Sequence, residues 1–149
     1  SCSADGQYIA ATAYGGYIYT STNGGATWTE RTGAGSRDWR GISCSADGQR
    51  IAAAAYGGYI YTSTDGGATW TARTGAGSRN WRGIACSADG QRIAAAGSST
   101  NIYTSTDGGA TWTERTGAGS RNWYGVTGSE DMSLIAAIAY GNYIYTSEG

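Results

Sequence analysis

The 149 residues are enough for one domain with a real core, and nothing about size forces disorder or disulfide stapling. The net charge is -1, and the ten basic residues are all arginines spread evenly along the chain, so no basic stripe offers itself to nucleic acid. No apolar run approaches a membrane span, while 26 glycines, 12 tyrosines and six tryptophans, with no proline, point to strands and tight turns.

In chain order the sequence repeats with a period of 42: units 1–42, 43–84, 85–126 and a partial unit 127–149, read together as one repeat domain over 1–149. The first two units differ at Tyr8/Arg50, Thr12/Ala54, Asn23/Asp65, Glu30/Ala72 and Asp38/Asn80, so the same local structure must form in both. Cys2, Cys44 and Cys86 fall at one repeat position. Their odd number is unsuited to internal pairing, and they read as small apolar residues on an inner strand; their redox state is open. No metal or other cofactor is expected, since neither His nor a Cys-x-x-Cys pair is present.

Within the second unit, Arg50 to Ala55 reads as a strand, Tyr56-Gly57-Gly58 as a turn, and Tyr59 to Ser63 as a returning strand with period-two alternation. Thr64-Asp65-Gly66-Gly67 turns again, and Ala68 to Arg73 forms the next strand. Trp81 to Ser87 opens the following unit, ending in the hairpin signal Ala88-Asp89-Gly90-Gln91. Four short antiparallel strands per repeat leave a radial propeller or a stacked solenoid, and the repeat length favours the propeller. The expected fold is therefore all-β: propeller blades of four antiparallel strands, about three and a half units per chain. Burial on both faces explains why the second strand is continuously apolar, with Trp28, Trp70 and Trp112 filling the wider outer part.

Ser63 to Trp70 and Ser105 to Trp112 fit the pattern Ser-x-Asp-x-Gly-x-Thr-Trp, and Ser21 to Trp28 fits with Asn23 in place of Asp. The residues that define it are Ser21, Asn23, Gly25, Thr27 and Trp28; Ser63, Asp65, Gly67, Thr69 and Trp70; and Ser105, Asp107, Gly109, Thr111 and Trp112. An Asp or Asn in a tight turn accepts backbone N–H bonds, glycine supplies the left-handed angle, and tryptophan anchors the turn. This resembles the Asp-box, or bacterial neuraminidase repeat, of sialidases, some other glycosidases, sortilin-type receptors and photosystem-assembly factors. The resemblance implies that the box lies between the third and fourth strands, on the face away from the ligand site. It is expected to be a structural clasp.

No catalytic residue is assigned. Glycoside hydrolysis needs two carboxylates in one pocket. Asp5, Asp47 and Asp89 sit in hairpin turns, Asp65 and Asp107 in boxes, and Glu30, Glu114 and Asp38 at strand ends, all at positions common to the repeats. Glu130 and Asp131, beside Met132, are expected to stand outside the repeat pattern and read as a solvated turn.

Candidate ligand-binding residues lie in two sets of loops that share one face of a propeller: Tyr14, Tyr17, Tyr56, Tyr59, Tyr140 and Tyr143, and Arg37, Trp39, Arg79, Trp81, Arg121 and Trp123. Tyr, Trp and Arg suit sugar stacking or protein recognition. The alternative has these tryptophans packing between blades with the arginines stacked on them. The third unit replaces its tyrosine loop by Gly97-Ser98-Ser99-Thr100-Asn101.

The expected protein is a non-catalytic, extracellular or cell-surface scaffold that binds carbohydrate or protein. A self-assembling structural subunit and, less favoured, a glycosidase-like enzyme are the alternatives. Open blade faces expose apolar surface, so a homo-oligomer completing a ring, or a filament, is expected; a piece of a longer repeat protein is the other reading.

Overall fold

A computed structural model describes residues 1–141 and 143–148, the last without its side chain. Asn142, in the loop between Tyr140 and Tyr143, and Gly149 lie outside the described residues. The described chain is all-β apart from two single turns of 3-10 helix, Thr32–Ala34 and Thr74–Ala76. Its strands are β1 (Ile9–Thr12), β2 (Ile18–Ser21), β3 (Thr29–Arg31), β4 (Trp39–Cys44), β5 (Ile51–Gly58), β6 (Ile60–Ser63) and β7 (Thr71–Arg73). They continue with β8 (Arg79–Cys86), β9 (Ile93–Gly97), β10 (Ile102–Ser105), β11 (Thr113–Arg115), β12 (Trp123–Gly128), β13 (Leu134–Ala139) and β14 (Tyr143–Glu148).

Neighbours along the chain pair antiparallel. Counted by sheets, a unit opens with the strand that starts near Trp39, Trp81 or Trp123: in the second unit β4 pairs β5, β5 pairs β6 and β6 pairs β7; in the third, β8 to β11 do the same. The first unit pairs β1, β2 and β3, with Cys2 bridged to Ile9, and the last pairs β12, β13 and β14.

Two expected elements differ. The fourth strand, expected from Ala68, starts at Thr71, because Ala68 to Trp70 are drawn into the turn clasp described below. The second strand runs on through Tyr56 to Gly58 and pairs with β8 through Tyr56↔Asn80 and Gly58↔Arg79. The middle two units therefore form one continuous eight-stranded sheet at the loop end.

Alternation along β5 serves two cores. Ala52, Ala54 and Ile60 pack with Trp81, Ile84 and Tyr103 of the next unit, while Ala53, Ala55 and Tyr61 pack with Ile18 and Ala34 of the preceding one and with Trp39. That is why Ile-Ala-Ala-Ala-Ala carries no polar residue. The outer tryptophans follow the same geometry: Trp70 and Trp112 pack against the preceding unit, whereas Trp28, with no preceding unit among the described residues, is 45% exposed.

Close approach of the first strands depends on glycine. A Cβ on Gly41 would lie 2.9 Å from the Arg82 carbonyl oxygen, and one on Gly83 would lie 2.9 Å from Gly125 Cα and Val126 N. Backbone meeting backbone leaves no side chain to move aside. Main-chain bonds then tie each unit to the next: Ala4 N–H donates to Ala46 O at 2.8 Å, Ala46 N–H to Ala88 O at 2.8 Å, and Ala88 N–H to Glu130 O at 2.7 Å.

Candidate functional site

The turns after β2, β6 and β10 are closed hydrogen-bond clasps. Asp65 accepts from the Ser63 hydroxyl at 2.7 Å, the Thr69 N–H at 2.8 Å and the Thr69 hydroxyl at 2.6 Å. Ser63 Oγ in turn accepts the Gly67 N–H at 2.8 Å, and the Trp70 indole N–H donates to Gly67 O at 3.0 Å. Gly66 and Gly67 have φ of 65° and 85°, a left-handed region that a side chain would strain. Ser105, Asp107, Gly109, Thr111 and Trp112 repeat this set. In the first unit, Asn23 accepts from Ser21 and from Thr27 N–H and donates its amide to the Thr27 hydroxyl, and Gly25 N–H donates to Ser21.

Hydrogen bonds from the Thr69 hydroxyl, Thr69 N–H and Ser63 hold the Asp65 carboxyl down at about 2, below its ordinary 3.8; Asp107, bonded to Thr111 and Ser105, is also at about 2. A carboxyl lowered by folding contributes stability that is fully present above the unfolded value and lost as pH falls through the folded one. The midpoint of thermal unfolding should therefore drop most steeply between about pH 4 and pH 2. Converting both residues to Asn, as the first unit already has, should flatten that drop; a profile unchanged in Asp65→Asn/Asp107→Asn would contradict it.

A second clasp, which the sequence shows only as an Asp-Gly turn, closes the first hairpin of each unit. Ser45 donates to Asp47, which accepts Gln49 N–H at 2.9 Å, and Arg50 N–H donates back to Ser45 Oγ. Ser3/Asp5, Ser87/Asp89 and Ser129/Asp131 form the same arrangement, so Asp131, expected to stand outside the repeat, is the fourth member of the Asp5, Asp47, Asp89 series, 42 residues after Asp89. The Ser133 N–H and the hydroxyls of Ser129 and Ser133 push the Asp131 carboxyl well below the usual range. The recurring serine two residues before each Asp was the available signal.

At the loop face, the candidate residues separate into two groups. Trp39, Trp81 and Trp123 are buried between units, edge-on to Tyr61, Tyr103 and Tyr145 at 5.2 to 5.4 Å. Arg37, Arg79 and Arg121 stack on the same three tyrosines at 4.6, 4.8 and 4.7 Å and donate through Nε to the carbonyls of Ala34, Ala76 and Ala118. This places the three tryptophans in the packing between units, with the arginines at its rim, Arg79 half-buried and Arg37 and Arg121 exposed. A strand-leading Trp has one face per pleat, and here that face points inward.

The tyrosine loops are brought together by residues outside the candidate set. Arg40 lies 4.8 Å over the Tyr14 ring and 5.3 Å over Tyr56; Arg82 lies 5.7 Å over Tyr56 and 4.8 Å over Tyr124. Tyr124, which takes the arginine's place in the third repeat of the position, stacks at 6.2 Å on Tyr140. The result is a ladder Tyr14, Arg40, Tyr56, Arg82, Tyr124, Tyr140 running across all four units. Tyr14 and Tyr140 are 71% and 73% exposed. Among the described residues the Arg40 and Arg82 guanidinium groups are held by rings and not by a carboxylate. Tyr17 and Tyr59 are half-buried, Tyr59 against the core around Trp39, and Tyr143 is exposed. The altered third loop turns through Ser99, at φ 54°, whose N–H donates to Asn122 Oδ1 at 3.0 Å.

Paired strands with faces buried on both sides, joined by Ser–Asp–Thr–Trp clasps, define a β-propeller protein built of Asp-box repeats. The chain carries the BNR/Asp-box repeat at residues 19–30, 61–72 and 103–114. Among solved structures it is similar to the GH74 enzyme of Niastella koreensis (20% identity, TM-score 0.74, 98% of this chain and 22% of that one). It is also similar to YCF48 bound to D1 peptide (20%, 0.69, 99% and 49%) and to the computationally designed Ika4 protein (10%, 0.75, 95% and 85%). At these identities the likeness is one of fold, and the chain spans about a quarter of the length of the GH74 structures. No curated protein matches the sequence.

Proposed function

We propose that this chain is a non-catalytic propeller scaffold of four-stranded blades, about three and a half per chain, whose loop face binds carbohydrate or protein outside the cell or at its surface. The Tyr–Arg ladder carries the reading. It offers exposed ring faces and cations without bound acids, arranged in a row, and each ring or guanidinium contact contributes about 0.5–1 kcal/mol. Repetition along the row raises avidity for a ligand that is itself repetitive, such as an oligosaccharide or an extended segment. The YCF48 structure, with its bound peptide, is a propeller of this fold that binds a ligand.

A non-enzymatic role is supported by where the acids spend their oxygens. Asp5, Asp47, Asp65, Asp89, Asp107 and Asp131 are each held inside their own turn, and Glu30 and Glu114 accept from Tyr19 and Asn101. A carboxylate satisfied by its own turn is a poor general acid at neutral pH. Glycan and peptide arrays should give saturable binding that Tyr56→Ala/Arg82→Ala weakens about tenfold while the thermal midpoint stays within a few degrees. Arrays blank for the unaltered protein, or a variant that binds equally well, would remove the ladder from consideration.

The partner expected at the open faces is a second copy. Ile18 and Ile60 are fully buried and Ile102 is 8% exposed, yet Ile144, at the same repeat position, is 74% exposed beside Ile138. At the other end Trp28 and Tyr19 present the surface that the second unit presents to the first through Trp70 and Tyr61. Head-to-tail docking of two copies repeats a contact that the chain already makes between its own units.

A further inference from the structure

Asn23 is the one asparagine of five that precedes a glycine; Asn80, Asn101, Asn122 and Asn142 precede Trp, Ile, Trp and Tyr. That neighbour makes an asparagine labile, because no side chain hinders the following main-chain nitrogen as it approaches the asparagine's own side-chain carbon. The bond that forms joins Gly24 N to Asn23 Cγ, the bond that breaks is Cγ–Nδ2, and ammonia leaves with the Gly24 N–H proton. Water then opens the five-membered imide. Addition at Cγ gives aspartate in an ordinary main chain; addition at the Asn23 carbonyl carbon gives isoaspartate, with one more carbon in the chain.

Asn23 is exposed, so what restrains it is its hydrogen bonding. Oδ1 accepts the Ser21 hydroxyl and the Thr27 N–H, each at 2.9 Å, and Nδ2 donates to the Thr27 hydroxyl at 2.9 Å. The attacking group is held as well, since Gly24 N–H donates to Gln7 O at 3.0 Å. Attack on Cγ needs the side chain to turn out of this clasp and the nitrogen to leave its acceptor.

The product has a place ready. In the second and third units the same main-chain bonds, Gly66 N–H to Gln49 O at 2.9 Å and Gly108 N–H to Gln91 O at 2.8 Å, frame a carboxylate. Thr69 and Thr111 donate their hydroxyls to Asp65 and Asp107 at 2.6 Å, where Thr27 accepts from Asn23. Only one hydroxyl proton has to turn for the first clasp to take an acid.

We infer that Asn23 is a gated deamidation site: the closed clasp withholds it from reaction, each opening exposes it, and the aspartate formed closes again as a third acidic box. Reaction is slow beside reclosing, so its rate follows the population of the open clasp. The conversion runs one way and adds a negative charge to the chain.

The test is peptide mapping by mass spectrometry of the 149-residue protein kept at mildly alkaline pH, with aspartate and isoaspartate both counted as conversion. In guanidinium chloride Asn23 should convert first among the asparagines, and in the folded protein at least about tenfold more slowly, the factor a modest opening free energy sets. Thr27→Ala should speed the folded-state reaction several-fold; Thr69→Ala, the same loss in the second clasp, should leave it unchanged. Asn23→Asp should keep the circular dichroism spectrum and steepen the acid-side fall of the melting midpoint. Equal rates with and without denaturant, earlier conversion at another asparagine, equal effects of the two threonine substitutions, or an Asn23→Asp chain without the steeper fall would each overturn the gate.

Discussion

Trp81→Ala is expected to cost about 3–5 kcal/mol of folding stability, the usual range for removing a fully buried indole and leaving its cavity. Trp81 has no exposed surface, lies edge-on to Tyr103 at 5.4 Å, donates to Gly77 O at 3.3 Å, and packs Ala52, Ala54 and Ile60 of the neighbouring unit. The surrounding residues are small and fixed on strands, so they cannot collapse inward to fill the space. Single domains hold only about 5–15 kcal/mol in all, and this one substitution removes a large share. Trp28→Ala, at 45% exposure, is the internal control and should cost about 1 kcal/mol or less. Urea unfolding followed by circular dichroism separates the two, and equal losses would mean that the junction between units does not carry the fold.

The second large effect concerns association. The unaltered chain, 15.3 kDa, should show a mass that rises with concentration in sedimentation, and Ile144→Arg should hold it at the monomer mass. A charge placed where Ile60 and Ile102 are buried at the internal junctions has no partner in the docked state, and its desolvation opposes assembly. Main-chain groups at the two ends match as well. Among the described residues the ladder between units stops at the carbonyl of Ala4 and the N–H of Glu130, an acceptor and a donor at equivalent positions. Such a contact is heterologous and closes into a ring or runs on as a filament according to the rotation per copy. An unaltered protein that stays monomeric at all concentrations would defeat the docking.

Much of this architecture is legible in the residues because the units are nearly copies. The period of 42, the turn glycines and the Ser-x-Asp-x-Gly-x-Thr-Trp clasp follow directly from Ser63 to Trp70 and its repeats, and Ile51 to Ala55 announces a strand covered on both faces. The residues alone leave the role of Trp39, Trp81 and Trp123 open between core packing and ligand binding, because a one-residue change in register decides whether such a side chain meets a core or a ligand. Arg40 and Arg82 were missed for a different reason. Each bridges tyrosines from two successive units, Arg40 reaching back to Tyr14 and across to Tyr56, and no local spacing signals a contact made by ring geometry between units. The continuation of β5 through Tyr56 to Gly58 likewise depends on pairing with Asn80 and Arg79 of β8, and so could not be read from the loop alone.

The bonds from Ala4 to Ala46, Ala46 to Ala88 and Ala88 to Glu130 join every pair of units through the same atoms, and Gly41 and Gly83 meet the following strand in the same way. Excising residues 43–84 would bring Ile42 against Ala85 and recreate a joint that already exists, as would inserting another such stretch. Unequal crossing-over within the coding sequence would therefore yield folded products of different length without any compensating change, so that copy number is free to drift while the joint itself is held constant.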